Sequence, residues 1–301
     1  MRPLVVLVVL AFVSSAGDPF VDTAPERLAA YIRVDTTNPP GNETRGVEFL
    51  GTILREAGIA YDTVESAPGR GNLWARLRGN GKPGLVLLHH IDVVPADASY
   101  WSVDPYAGVT KDGYLYGRGA LDMKALGIMQ LQAFLALHAS GKQLSRDVLY
   151  VATADEEAGG FMGAGWLLEN RPEIFKDIGY LLNEGGGGRR FGTDTVFFVE
   201  VTQKVPVWLR LTAKGRSGHG SVPLAQTAVT RILRAGQRLA DTRFEARVIE
   251  PVANLFQGVA RFQRPELKSA FEDIGAHVTD AAFLQSLQMT APGYHALLRN
   301  T

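Results

Sequence analysis

GLVLLHHIDVVP, residues 84–95, joins an apolar run to two adjacent histidines and, two residues beyond the second, an aspartate. The apolar residues 84–88 read as a strand between turn signals. In extended chain, side chains two apart share a face. His90 and Asp92 then point the same way, and His89 points opposite. A metal-binding histidine usually gives its second ring N–H to a carboxylate, which fixes tautomer and ring orientation. This spacing makes His90 a candidate ligand, Asp92 its partner and His89 a bystander. The competing reading, two histidines satisfied by backbone carbonyls, stays open on these residues alone.

Outward from this stretch, strand and helix patterns alternate. Residues 72–77, 148–153 and 179–182 read as further strands, and residues 24–34, 44–57, 123–139 and 163–170 as helices. That order predicts an α/β fold, a mostly parallel, mixed sheet flanked by helices. Near Gln203 the pattern changes. Residues 205–213 alternate polar and apolar as a strand, GRSGHGSVP follows at 215–223, and residues 226–240 read as a helix. Weak helical signals fill residues 243–301. A domain at 17–203 and a second, α+β module at 204–301 are expected.

Composition limits the chemistry. The 301 residues hold 31 Lys plus Arg and 31 Asp plus Glu, so no overall field recruits nucleic acid or an anionic membrane. Cysteine is absent, which removes disulfides and thiolate ligands. Any metal must be held by His, Asp and Glu. At the N-terminus, Arg2, an apolar run over 3–13 and Ser14-Ser15-Ala16 form the three-part pattern of an export signal at residues 1–16. A secreted or periplasmic location is the corresponding expectation. The run is too short to span a bilayer comfortably, and no later segment reads as transmembrane.

Chemistry gathers where strands end. GRGALDMKALG, residues 117–127, places Asp122 just before the long helix, where an aspartate is most often an N-cap. DVLYVATADEEAGG, residues 147–160, delivers Asp155, Glu156 and Glu157 after a fully apolar strand. Three adjacent acids there call for a cation or a shared proton. GYLLNEGGGG, residues 179–188, puts Glu184 beyond a fourth strand. Open α/β sheets bind ligands outside the carboxyl ends of their strands. Carboxylates with one imidazole and no sulfur suit catalytic Zn²⁺ or a similar divalent ion, with magnesium and manganese allowed.

In order and spacing, HHIDVVP, GRGALDMK, ADEEAGG, NEGG and GRSGHGSVP resemble the motifs of the dinuclear zinc peptidases that include aminoacylase, glutamate carboxypeptidase and acetylornithine deacetylase. TTNPPGNE at 36–43 is also similar, and the match covers roughly residues 24–225. The resemblance implies two Zn²⁺ ions, with Co²⁺ or Mn²⁺ as substitutes. His90 and Glu184 would bind one, Glu157 the other, and Asp122 would bridge them, followed by a cis peptide to Met123. Glu156 would be the general base toward a metal-bridging hydroxide, with Asp92 behind His90. His219 would donate to the developing oxyanion, often across a dimer interface. The implied reaction is cleavage of an amide bond in a small peptide or N-acyl amino acid. The implied assembly is a homodimer through the second module, a lid or dimerisation domain.

The sequence departs from that family in one respect. The resemblance implies a further histidine ligand late in the chain, and neither His277 nor His295 has a matching context. The chain therefore reads as an N-terminal fragment, with its second module incomplete. A non-catalytic binding or dimerisation module that keeps the fold is the alternative. Arg189 and Arg190 read as an exposed basic pair, and substrate identity is not legible.

Overall fold

Alternate side chains of two neighbouring strands face two different helical layers, and this decides the architecture. The computed structural model describes residues 18–299 apart from 206 and 223, so the expected signal at 1–16 lies outside the described residues. The chain divides into two compact units between Glu184 and Gly185.

In the first unit, helices α1 (Pro19–Asp22), α2 (Ala24–Ile32) and α3 (Glu43–Glu56) precede strands β1 (Tyr61–Glu65), β2 (Gly71–Leu77) and β3 (Gly79–His90). A hairpin of β4 (Val109–Lys111) and β5 (Tyr114–Tyr116) leads to α4 (Lys124–Ala139), β6 (Leu144–Thr153), α5 (Ala164–Asn170) and β7 (Ile178–Leu182). Five strands form one sheet in the order β1-β2-β6-β3-β7. β3 is parallel to β6 and β7, whereas β2 is antiparallel to β1 and β6. The sheet is mixed and flanked by helices, with its parallel half carrying the motif strands. β1 and both ends of β3 were not legible in the sequence.

Along β6, Val148, Tyr150 and Ala152 pack into a core with Leu50 and Leu54 of α3 and Leu131 and Phe134 of α4. Leu149 and Val151 face the opposite way, onto Leu167 of α5 and Ile174. β3 alternates in the same sense, Leu87 to the first core and Val86 to the second. A strand buried on both faces reads as an unbroken apolar run, which is why both strands were recognisable. Each such side chain taken fully out of water contributes about 1.5–3 kcal/mol.

The alternation also separates the two histidines. His89 is fully buried beside Tyr150 and Tyr31, with ring centroids 5.3 and 6.4 Å away. Gly127 of α4 lies directly over its ring: a Cβ there would come within 2.4 Å of His89 Cδ2. α4 is broadly buried, its polar Lys124, Gln130 and Gln132 as well as its apolar residues. Lys124 Nζ donates to the carbonyls of Tyr31 and Val34 at 3.1 and 2.8 Å, tying α4 to the end of α2.

The second unit begins with a hairpin of β8 (Gly187–Phe191) and β9 (Asp194–Phe198). It continues through α6 (Ala228–Asp241), α7 (Glu250–Val259), α8 (Pro265–Glu272), α9 (Ile274–His277), α10 (Ala281–Thr290) and α11 (Pro292–Leu297). Its core is helical, built on Phe256, Phe271, Ile274 and Leu287. Phe191 stacks on Phe262 at 4.6 Å and Phe198 packs on the same core, so the hairpin belongs to this unit. The division therefore falls before the boundary expected at residue 204. The strand expected over 205–213 is absent: Val205 and residues 207–213 lie in no strand, with Val207 and Trp208 exposed. Alternation alone cannot hold a strand whose ladder groups find no neighbour. Among the described residues, no helix is long and apolar enough to cross a membrane.

Replacing Gly127 with alanine should overpack the His89 site and lower unfolding free energy by about 1–3 kcal/mol in urea titration. Gly236→Ala, where a Cβ meets nothing within 4 Å inside exposed α6, should instead raise it by about 0.5–1 kcal/mol.

Candidate metal centre

Parallel register brings the motif residues to one end of the sheet. His90, the last residue of β3, lies opposite Thr153, the last of β6, and Leu87 lies opposite Leu182, the last of β7. Chain leaving β6 carries Asp155, Glu156 and Glu157, and chain leaving β7 carries Glu184. Asp122 reaches the same place from the α4 side. Met123, not Asp122, occupies the N-cap of α4, and no side chain caps that helix, so Asp122 is free of the capping role. The Asp122–Met123 peptide is cis.

His90 Nε2 sits 3.0 Å from Asp122 Oδ1 and 3.8 Å from both Glu156 Oε2 and Glu184 Oε2. Two groups of potential ligand atoms result, His90 with Glu156 and Glu184, and His90 with Asp122 and Glu157; within each, the atoms lie within 4.8 Å of one another. Five side chains from four separate segments thus converge. One imidazole and four carboxylates match the donor preferences of zinc, manganese or cobalt, and the open, carboxylate-rich set is unlike a closed structural site.

Asp92 lies beneath them, with no solvent exposure. Its carboxylate accepts the backbone N–H groups of Glu156 and Glu157, each at 3.1 Å, and Asn38 Nδ2 at 2.8 Å. The nearest acceptor to His90 Nδ1 is the main-chain carbonyl of Asp92 at 2.8 Å, with carboxylate Oδ1 at 3.4 Å. Asp92 therefore does two things: its backbone and one oxygen orient the imidazole, and its carboxylate clamps the turn bearing Glu156 and Glu157. With Nδ1–H donated to that carbonyl, Nε2 is the ring atom turned toward the carboxylates.

The electrostatics register an excess of acid. Burial raises the Glu184 pKa to about 7, and the charges of Asp122 and Glu156 add to that effect against the opposing pull of His90. Glu157 is raised as well, first by burial and then by Asp122. For His90 burial acts downward, but hydrogen bonding and charge from Asp92, with Glu184 and Glu156, lift it to about 9. Burial opposes ionisation of Asp92 too; bonds to His90 and Asn38 and the Glu156 amide prevail, so its pKa falls below 3.8. Upward shifts in carboxylates and in the imidazole beside them are what acids crowded together without a counter-cation show.

A second buried layer was not picked out from the sequence. Asp155 turns away from the pocket, with φ +69° in the left-handed region, and forms an ion pair with Arg70. Arg70 Nη1 lies 3.3 Å from Glu43 Oε1 and donates to Asn38 Oδ1 at 3.1 Å and the Pro40 carbonyl at 2.9 Å. Glu43 Oε1 accepts the Asp155 N–H at 3.2 Å. Burial pushes the Glu43 pKa up to about 7, against the Arg70 charge, and its Oε2 has no partner. The Asn-Pro-Pro-Gly turn was a visible signal for this layer; Arg70, between two glycines, had none.

His219 belongs to the second unit. Ser221 N–H donates to its Nδ1 at 3.3 Å and Ser221 Oγ lies 2.7 Å from the same atom. With Nδ1 accepting, the exposed ring presents Nε2–H as a donor. Arg189 and Arg190 are exposed on β8.

Taken together, the fold and site define an α/β domain with a carboxylate–imidazole pocket at the carboxyl end of its parallel strands. Residues 86–292 match the model for peptidase family M20/M25/M40, and the chain belongs to that family. It is 35% identical over 207 residues to aminoacylase-1 of Sus scrofa, covering 67% of this chain and 49% of that protein. It is 32% identical over 275 residues to succinyl-diaminopimelate desuccinylase of Methylobacterium radiotolerans, covering 88% of this chain and 65% of that protein. The solved structure of human carnosine dipeptidase 1 aligns at 27% identity with a TM-score of 0.42, over 55% of this chain and 38% of that one. The chain spans about half the length of the aminoacylases it matches.

Asp92→Ala should leave two amides unpaired at about 1–3 kcal/mol each, and weaken the binding of an added divalent metal by about 10–100-fold in competition titrations with a chelator. Glu43 supplies a pH signature. Its folded pKa is raised from 4.5 to about 7, so its contribution is complete below 4.5 and is lost as pH rises through 7. Glu43→Gln should flatten that loss in urea midpoints of metal-free protein measured across this window.

Proposed function

We propose that the chain carries the metal-binding part of an exported, metal-dependent amidohydrolase acting on an N-acyl amino acid or a small peptide. The observation that carries this reading is the convergence of His90, Asp122, Glu156, Glu157 and Glu184 within ligand distance at one sheet end. His90, Asp122, Glu157 and Glu184 would hold two divalent ions, zinc by preference, with Asp122 between them. Ions held there supply Lewis acidity, polarising a carbonyl and making water a stronger acid.

The protein's own groups do the rest. Glu156, clamped through its amide by Asp92, accepts a proton from the attacking water and passes it to the departing nitrogen. Asp92 keeps the His90 ring in the tautomer whose Nε2 faces the pocket. His219 Nε2–H would be the donor for the negative charge that develops on the carbonyl oxygen, reached through a homodimer. Two relatives are named as an aminoacylase and as a succinyl-diaminopimelate desuccinylase, which favours an N-acyl amino acid as substrate. Export rests on the pattern of residues 1–16.

Zinc-loaded protein should hydrolyse members of a panel of N-acetyl amino acids, N-succinyl amino acids and dipeptides. Glu156→Gln should keep its metal content by elemental analysis and lose about 10²–10⁴-fold in kcat. Undiminished turnover in that variant would remove Glu156 as base. Bound metal with no turnover by wild type would favour a binding module on the same fold.

A further inference from the structure

Arg70 is buried, lies outside the proposed ligand set, and contacts Asp155, Glu43, Asn38 and Pro40 on one side of the turn that bears Glu156 and Glu157. We propose that Arg70 is a positioning residue: by gripping Asp155 it fixes the orientation of the next two residues, Glu156 and Glu157, toward the metals. This inference deepens the proposed function and rests on that reading of the pocket.

The geometry runs through one peptide bond. Asp155 is joined directly to Glu156, and its carboxylate pairs with the Arg70 guanidinium, whereas that of Glu156 lies near His90. Its second oxygen accepts the Met162 N–H at 3.0 Å, and its carbonyl accepts the Gly160 N–H, closing the turn on itself. On the other side, Glu156 and Glu157 hang by their amides from Asp92. Asn38 joins the two halves, its Nδ2 donating to Asp92 and lying 3.4 Å from Asp155 Oδ1, while its Oδ1 accepts from Arg70. The turn is therefore suspended between two buried acids, and Arg70 is the cation ion-paired with the rear one.

Two further observations favour a guanidinium over any other cation. Arg70 engages Asp155, Glu43, Asn38 and the Pro40 carbonyl in different directions, as a planar fork can and a single ammonium cannot. The backbone has also been shaped around it. Gly41, at φ +90°, passes so near that an added Cβ would fall 1.5 Å from Arg70 Nη1. A purely structural ion pair would explain a loss of stability on removing Arg70; it would not explain a change in metal affinity of molecules that remain folded.

The test uses the full chain with Zn²⁺ as probe. Arg70→Met should bind zinc about 10–100-fold more weakly in chelator competition, with lower kcat and KM within about twofold. Arg70→Lys, which keeps the charge and loses the fork, should recover folding stability and only part of the zinc affinity. In a double-mutant cycle with Asp155→Asn, the second substitution should add little once the first is made. Hydrogen exchange at the Glu156 and Glu157 amides of metal-free protein should speed up in Arg70→Met. If that variant does not fold by circular dichroism, Gly41→Ala should displace the guanidinium and give the same zinc loss. Folded Arg70→Met with wild-type zinc affinity and unchanged exchange, or losses that multiply with Asp155→Asn, would overturn the proposal. Wild type that binds no zinc would instead refute the proposed function, and the exchange measurement would still decide the role of Arg70.

Discussion

A carboxylate without access to water, Asp92, supports the whole pocket. One buried anion accepts two backbone amides from the turn after β6, an amide from the loop after α2, and lies against the ring of His90. Such a group is stable as an anion only if its hydrogen-bonding capacity is filled, and here it is. The same filling ties three distant segments together. Placement of the candidate ligands follows from satisfying Asp92.

Charge balance is the second constraint. Glu43, Asp92 and Asp155 form the floor, and Asp122, Glu156, Glu157 and Glu184 form the rim. Against these acids stand the guanidinium of Arg70 and whatever proton His90 holds. The upward displacement of Glu184 and Glu157 is what burial produces first, with repulsion from neighbouring carboxylates adding to it. Divalent ions would relieve it. Folding of this end of the sheet and metal binding are then parts of one equilibrium.

Two histidines adjacent in the chain differ completely in environment. His89 faces the packed side of the sheet, with both ring nitrogens unpartnered, and burial lowers its pKa to about 3. The neutral ring serves as an aromatic filler under Gly127. His90, one residue on, faces acids and is held near 9. Strand alternation alone makes this difference.

Much of this was readable before any coordinates. Apolar runs marked β3 and β6 because both faces of those strands are buried, and strand alternation singled out His90 over His89. The acids after each strand named the pocket, since sheets of this kind bind ligands where their strands end. Other features had no local signature. Residues 205–213 carry the alternation of a strand, yet Val205 and residues 207–213 lie in none, since ladder partners are a property of the surrounding fold. Arg70, between two glycines, and Glu43, at a helix start, carry no local sign of burial, and only the tertiary structure buries them against Asp155. The chain by itself determined which chemical groups stand at the strand ends, because periodicity and turn residues act over a few positions. Which oxygen meets which amide, and which charges compensate one another, was decided by packing between segments far apart in sequence, where no local pattern reaches.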